Sequence, residues 1–154
     1  PGIRVIEMIE CPGTEDDRAN LRLGLMIRGR GLTTHVPEGG SVRSGAVELF
    51  LAGVRREIAP QAEFAVHGWL DESGRGAEDY PADAPEHRRY LAFYAEMGME
   101  PGQARDFYAM TNSVPFEDAL WLTGAQMRGW LGMAEAPAAA APRLAYLDLG
   151  TVLP

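Results

Sequence analysis

The feature that most restricts the fold is an alternation along the chain. Short runs rich in β-branched residues are closed by Gly- or Pro-containing turns and followed by apolar residues at helical spacing. Arg4-Val5-Ile6-Glu7-Met8-Ile9 reads as one strand that enters a tight turn at Cys11-Pro12-Gly13. Thr14 offers a helix cap with Asp17 three residues on, and Ala19, Leu23, Met26 and Ile27 follow at helical spacing until Gly29 and Gly31. Leu32-Thr33-Thr34-His35-Val36 is the next strand, closed by Pro37 and Gly39-Gly40. The spacing then predicts a helix from Val42 through Val47, Leu49, Phe50 and Leu51 to Ala52, with Gly53 as its left-handed terminator. Ala62 to His67 again has strand composition. The repeated strand, turn, helix order implies α/β architecture around a largely parallel sheet.

Beyond His67 the pattern continues with longer pieces. Asp71 to Pro85 is acidic, contains glycine and is bounded by proline, as expected of a surface loop. Helices are predicted from Glu86 to Met97 and from Pro101 to Met110, then a strand at Ala119-Leu120-Trp121-Leu122 and a helix capped by Thr123 with Gln126 at the capping-box position. Residues 1–133 are expected to form one domain, 134–143 an Ala/Pro linker, and 144–154 a tail with a strand at Leu144 to Leu149 that docks on the body or on a neighbouring subunit.

Charge narrows the chemistry. The 154-residue chain carries 22 acidic and 14 basic residues, and all of the basic ones are arginine. A net charge of −8 repels phosphate backbones and argues against a nucleic-acid partner. Without lysine there is no Schiff base, no serine–lysine dyad and no phosphate-loop lysine. Cys11 is the sole cysteine, and His35, His67 and His87 are too scattered for a zinc motif, so neither a metal nor another cofactor is expected. No apolar run approaches the roughly 20 residues of a membrane span. The chain starts at Pro1 with no signal-like segment, consistent with removal of the initiator methionine or with trimming. Cytoplasm and periplasm both stay open.

Catalytic potential concentrates in Gly39-Gly40-Ser41-Val42-Arg43-Ser44-Gly45-Ala46. A serine among small residues at the start of a helix has an exposed hydroxyl and free backbone N–H groups nearby, a setting for a nucleophile and its oxyanion. The plainer reading is that Ser41 or Ser44 caps the helix. His67, closing an apolar strand, is a general base only if a serine lies within reach, and otherwise a satisfied histidine. Arg43 reads either as a binder of substrate carboxylate or as a solvated side chain at a cleft lip.

These residues carry a resemblance. Cys11-Pro12-Gly13-Thr14, a helix, Ser44-Gly45-Ala46 through Phe50-Leu51-Ala52-Gly53, then Pro60 and Val66-His67 resemble the proteolytic subunit of Clp protease and its smaller bacterial relatives. Trp121-Leu122-Thr123-Gly124-Ala125-Gln126, with Gly129 and Leu131-Gly132, is similar to that family's closing strand and helix. The likeness covers about residues 4 to 132. It implies a Clp/crotonase-like fold of stacked ββα units with a mostly parallel sheet and flanking helices. It also implies a serine peptidase acting on peptide or protein substrates as a homo-oligomer, with Ser44 as nucleophile, His67 as base, and the N–H groups of Thr14 and Gly45 as oxyanion hole.

The family pattern is broken at two places. Thr14 stands where the family has glycine, and threonine is expected to be strained if that site needs a positive φ. The orienting acid has no clear counterpart in Thr111 to Asp118: Asp118 is the nearest acid, while Asn112 could orient an imidazole without charge. A catalytically inactive scaffold or binding module of the same fold is therefore the competing reading. A crotonase-like acyl-CoA enzyme stands further back, since lysine and an evident adenine or phosphate site are lacking.

Overall fold

The computed structural model describes residues 2–134, so the linker and tail expected beyond them lie outside the described residues. Three strand pairs are followed by a helical hairpin and a closing strand–helix unit. The order is β1 (Val5–Glu7), β2 (Glu10–Cys11), α1 (Asp17–Gly29), β3 (Thr33–Val36), β4 (Ser41–Arg43), α2 (Ala46–Leu51), β5 (Arg55–Ile58) and β6 (Glu63–Val66). After a loop containing one 3-10 turn at Ala77–Asp79 come α3 (Pro85–Glu96), α4 (Pro101–Thr111), β7 (Leu120–Thr123) and α5 (Gly124–Trp130).

The first strand of each pair joins one sheet, ordered β1-β3-β5, and the second joins another, ordered β2-β4-β6-β7. All pairings are parallel except β6 with β7. The run Arg4 to Ile9, read from sequence as one strand, is thus divided. Met8 is buried between its two halves and donates its N–H to His35 O at 2.8 Å, so the chain steps from one sheet to the other there. Stacked ββα units with a mostly parallel sheet and flanking helices are the observed architecture.

Helix α1 buries Asn20, Leu21, Gly24 and Ile27, one face at i, i+1, i+4 and i+7, and packs chiefly on α2. Its cap is Asp16, whose side chain accepts from Ala19 N at 2.9 Å, and not Thr14, whose hydroxyl accepts from Asp16 N. Between the sheets and helices lies a core in which Phe50 and Phe64 meet at 5.1 Å and Tyr94 and Phe107 at 5.2 Å. The predicted capping box of α5 is present: Thr123 Oγ1 accepts from Gln126 N, and Gln126 Oε1 accepts from Thr123 N.

Two local expectations are corrected. Val42 belongs to strand β4, and α2 starts only at Ala46, because the buried Val42 is paired with Phe64 across the sheet. Gly53 does not have the positive φ of a left-handed terminator. It is required for close approach instead: a Cβ there would lie 2.2 Å from Thr34 Oγ1 and 2.7 Å from Arg55 O. Thr34 Oγ1 is itself committed to Phe50 O at 2.7 Å, so it cannot retreat freely. Gly53→Ala should therefore destabilise the fold by about 1–3 kcal/mol, read as a lower urea midpoint at unchanged m-value. An unshifted midpoint would contradict the packing described.

Candidate active site

Strand β4 ends at Arg43, and the chain turns sharply at Ser44-Gly45 into α2. Ser44 has φ 51°, the one positive φ of a non-glycine residue among the described residues. Such a backbone costs roughly 1–3 kcal/mol and persists only when its surroundings enforce it. Here Ser44 N donates to Ala65 O at 2.8 Å, which ties the turn to β6. Gly13, at φ 118°, packs directly beneath, where an added Cβ would come within 2.8 Å of Ser44 Cβ.

The hydroxyl of Ser44 does not cap α2. The cap position is Gly45, no side chain bonds the first helical turn, and no hydrogen bond among the described residues engages Ser44 Oγ. The parallel register pairs Arg43 with Ala65, so Ser44 and His67 leave neighbouring strands at the same end of the sheet. Neighbouring strands lie about 4.8 Å apart. Both residues line one cleft of about 1020 Å³, together with Thr14 and Gly45.

His67 is held on one side. Its Nδ1 lies 2.9 Å from Gly68 O, which can only accept, so Nδ1 is the donor, and in the neutral ring this makes Nε2 the acceptor, the tautomer a general base needs. Phe116 packs edge-on against its ring at 4.9 Å. No hydrogen bond joins Ser44 Oγ to the imidazole.

Thr14 escapes the expected strain, because Gly13 and not Thr14 takes the positive φ. Thr14 Cγ2 fills the space over Gly45, where a Cβ would approach it to 2.3 Å, and Asn20 Nδ2 donates to Gly45 O at 2.6 Å. Among the described residues the N–H groups of Thr14 and Gly45 have no acceptor. Arg43 faces away from this role: it pairs with Glu10 and donates to Ser41 Oγ at 3.1 Å.

Asp118 is not brought to the cleft. It is exposed in the turn before β7, and its N–H donates to Pro115 O. Asn112, at the end of α4, lies against Gly68, the residue after the histidine. Its Nδ2 donates to Tyr108 O at 2.8 Å, while its buried Oδ1 has no partner and would lie 3.7 Å from a Cβ placed on Gly68. Val114 O accepts from Gly68 N at 2.8 Å and holds the two segments together.

Other cleft residues escaped the sequence reading. Glu48, on α2 one turn beyond Ser44, is buried and accepts from Tyr94 OH at 2.8 Å. Burial pushes its carboxyl up to about 7, the Tyr94 hydrogen bond opposes this, and nearby Asp17 adds to the rise. The signal available was a lone acid in the apolar run Ala46-Val47-Glu48-Leu49-Phe50-Leu51. Tyr90 OH donates to Asp17 at 2.5 Å, and Trp69 stacks on Tyr90 at 6.1 Å. His87 is buried in a closed network: Trp69 Nε1 donates to Tyr108 OH at 2.8 Å, and Tyr108 OH lies 2.8 Å from His87 Nδ1. No cluster of three or more metal-ligating side chains occurs among the described residues, nor a helix long and apolar enough to cross a membrane.

No protein-family model matches the chain, and no curated protein matches it. Among solved structures it is similar to a mutant of the 1510-N membrane-bound stomatin-specific protease in complex with a substrate peptide, with a TM-score of 0.53 and 18% identity. That likeness covers 82% of this chain and 57% of that one, so the chain spans little more than half of its length. It is also similar to a ClpP1 mutant from Listeria monocytogenes, with a TM-score of 0.43 and 14% identity over 82% of this chain and 86% of that one. The first of these likenesses is one of fold: over the matched residues this chain shares the α/β fold of the stomatin-specific protease structure.

Two outcomes follow from the site. Ser44→Gly should be more stable than Ser44→Ala by about 1–2 kcal/mol, because only glycine relieves the left-handed backbone. Equal urea midpoints would remove the strain. For Glu48, a carboxyl raised from 4.5 to about 7 in the folded state holds its proton where the unfolded chain has lost it. Folding stability should thus fall as pH rises from about 4.5 to about 7 and level off above, by about 3 kcal/mol in all from this group. Glu48→Gln should flatten that part of the curve, checked by urea denaturation at pH 5 and pH 8.

Proposed function

We propose that this chain is a serine peptidase of Clp-like type in which Ser44 attacks the peptide carbonyl and His67 serves as general base. The observation that carries the reading is Ser44 itself: a strained, uncapped serine on a strand-to-helix turn, its hydroxyl unengaged, opening onto the cleft that His67 lines. A sharp, strained turn of this kind presents a nucleophile to substrate.

In the proposed reaction Nε2 of His67 takes the Ser44 hydroxyl proton as Oγ bonds the carbonyl carbon. The carbonyl oxygen becomes an oxyanion between the free N–H groups of Thr14 and Gly45. Collapse breaks the C–N bond, and the imidazolium returns its proton to the departing amine. Water, deprotonated by the same histidine, then releases the acyl group from Ser44. Strand β2 pairs only with β4 among the described residues, so its outer edge is free to take an extended peptide beside Gly13. Asn112 is assigned the orienting role in place of Asp118, because its Oδ1 is buried, unpartnered and beside Gly68. Self-association belongs to the same proposal: Ile3, Val5, Ile9, Leu23, Leu25 and Met26 are exposed on the N-terminal ββα unit.

A fluorophosphonate probe tests the reading. Wild type should be labelled at Ser44, Ser44→Ala should not, and His67→Ala should label at least about 10³-fold more slowly. Asn112→Ala should lower kcat at least about tenfold with little change in KM, as expected of a group that acts through the histidine. An unlabelled wild type, or a label that persists in Ser44→Ala, would leave a binding module built on this fold.

A further inference from the structure

The side chain best placed to read a substrate is one the mechanism does not use. Glu48 follows Ser44 by four residues, and the Ser44 carbonyl accepts from Val47 N at 2.9 Å, so the turn runs directly into the helix. Side chains on a helix lean toward its N-terminus, which directs the Glu48 carboxylate back toward Ser44. Both line the same cleft.

A buried carboxylate is costly unless a cation compensates it. None does here. Glu48 is in no ion pair among the described residues, and the charged neighbour that acts on it is Asp17, of like sign. Tyr94 OH supplies one hydrogen bond to a group with about four acceptor positions. The surrounding wall is aromatic, with Tyr90, Tyr94 and Trp69, and it already attracts one cation: the Arg89 guanidinium lies 5.5 Å from the Trp69 ring centroid and 5.4 Å from that of Tyr90. Seven acidic side chains and three arginines line the cleft, so its net field also favours a positive occupant.

We propose that Glu48 is the floor of a specificity pocket for a cationic side chain, the arginine or lysine whose carbonyl Ser44 attacks. This rests on the peptidase reading for the identity of the occupant, but cation binding at Glu48 does not require turnover. An arginine guanidinium entering between Tyr90 and Tyr94 would meet the carboxylate from the side that Tyr94 OH leaves free. A substrate with an aliphatic side chain at this position would leave Glu48 protonated and gain no charge pairing, and one with an acidic side chain would be repelled by the acidic cleft.

The test has two arms. Peptide coumarin amides ending in Arg, Lys, Leu, Phe or Glu are compared by kcat/KM in wild type, Glu48→Gln and Tyr94→Phe. Arg should exceed Leu at least about tenfold in wild type and in Tyr94→Phe, and that ratio should collapse toward one in Glu48→Gln. In the second arm benzamidine is titrated into Ser44→Ala by NMR, with and without Glu48→Gln. Binding should weaken at least about tenfold on loss of the carboxylate. If Glu48→Gln does not fold, Glu48→Asp replaces it and should keep the preference for cations over Leu. Benzamidine binding that depends on Glu48, with no peptide cleaved, sustains the cation pocket and overturns the peptidase. Cleavage with a Leu or Phe preference indifferent to Glu48 overturns the pocket and leaves the peptidase standing. Absence of benzamidine binding also overturns the pocket.

Discussion

The hydrogen bond from Ser44 N to Ala65 O is the constraint on which the site depends. It holds a left-handed, non-glycine residue in place between β4 and α2, and it does so by tying that residue to the strand that ends next to His67. Gly13 is then obligatory, because only a residue without Cβ fits beneath the serine. Thr14 follows on the chain and packs over Gly45, Asn20 holds the Gly45 carbonyl, and Val47 N, donating to Ser44 O, fixes the peptide that carries the Gly45 N–H. Three segments far apart in sequence converge on one turn. The core of Phe50, Phe64 and Val42 behind it offsets the local strain.

Polar groups around the cleft divide into satisfied and unsatisfied. Asp71 on the rim accepts from Ser73 N, Arg75 N and Tyr80 OH, and that hydrogen bonding, Tyr80 first, holds its carboxyl well below the usual range. His87 is likewise enclosed by Tyr108 and the Tyr80 carbonyl. Such closed networks stiffen a structure and leave nothing for a ligand. Glu48, without a compensating cation, Asn112 Oδ1, without any donor, and Arg89 Nε, without any acceptor, are exceptions; Glu48 and Arg89 line the cleft, and Asn112 lies beside Gly68. Buried polar groups are rarely left so without reason.

Much of the fold was legible because its signals are local. Glycine and proline punctuation located the turns, the 3.6-residue period located α1, α3 and α4, and Thr123 with Gln126 located the α5 cap. What failed was what depends on tertiary partners. Nothing in Arg4 to Ile9 marks the step at Met8, which exists because His35 supplies an acceptor from another strand. Val42 reads equally well as helix or strand until Phe64 is beside it. At the site, Ser44, His67, Thr14 and Gly45 were legible only through the order of motifs, and the structure places all four around one cleft. Glu48 and Asn112 were harder, since a single acid in an apolar run or a single amide after a helix gains meaning only from what surrounds it.

The lack of a carboxylate partner on His67 is less damaging to the proposed mechanism than it first looks. When the acid of a serine triad is replaced by its amide, the loss of about 10⁴-fold comes from the imidazole adopting the wrong tautomer. That error needs an amide able to present its NH2 to the ring. Asn112 cannot do so without losing two contacts, since Nδ2 donates to Tyr108 O and lies 3.2 Å from Thr111 Oγ1. The face it turns toward Gly68 is the carbonyl oxygen, an acceptor. Gly68 O, the present partner of Nδ1, is an acceptor too. Gly68 O, as acceptor to Nδ1, selects the tautomer that leaves Nε2 of the neutral ring without a proton, and Asn112 Oδ1, an acceptor beside Gly68, does not oppose it. What a neutral partner does not provide is charge stabilisation of the imidazolium, so the expected deficit relative to a full triad is the electrostatic part alone.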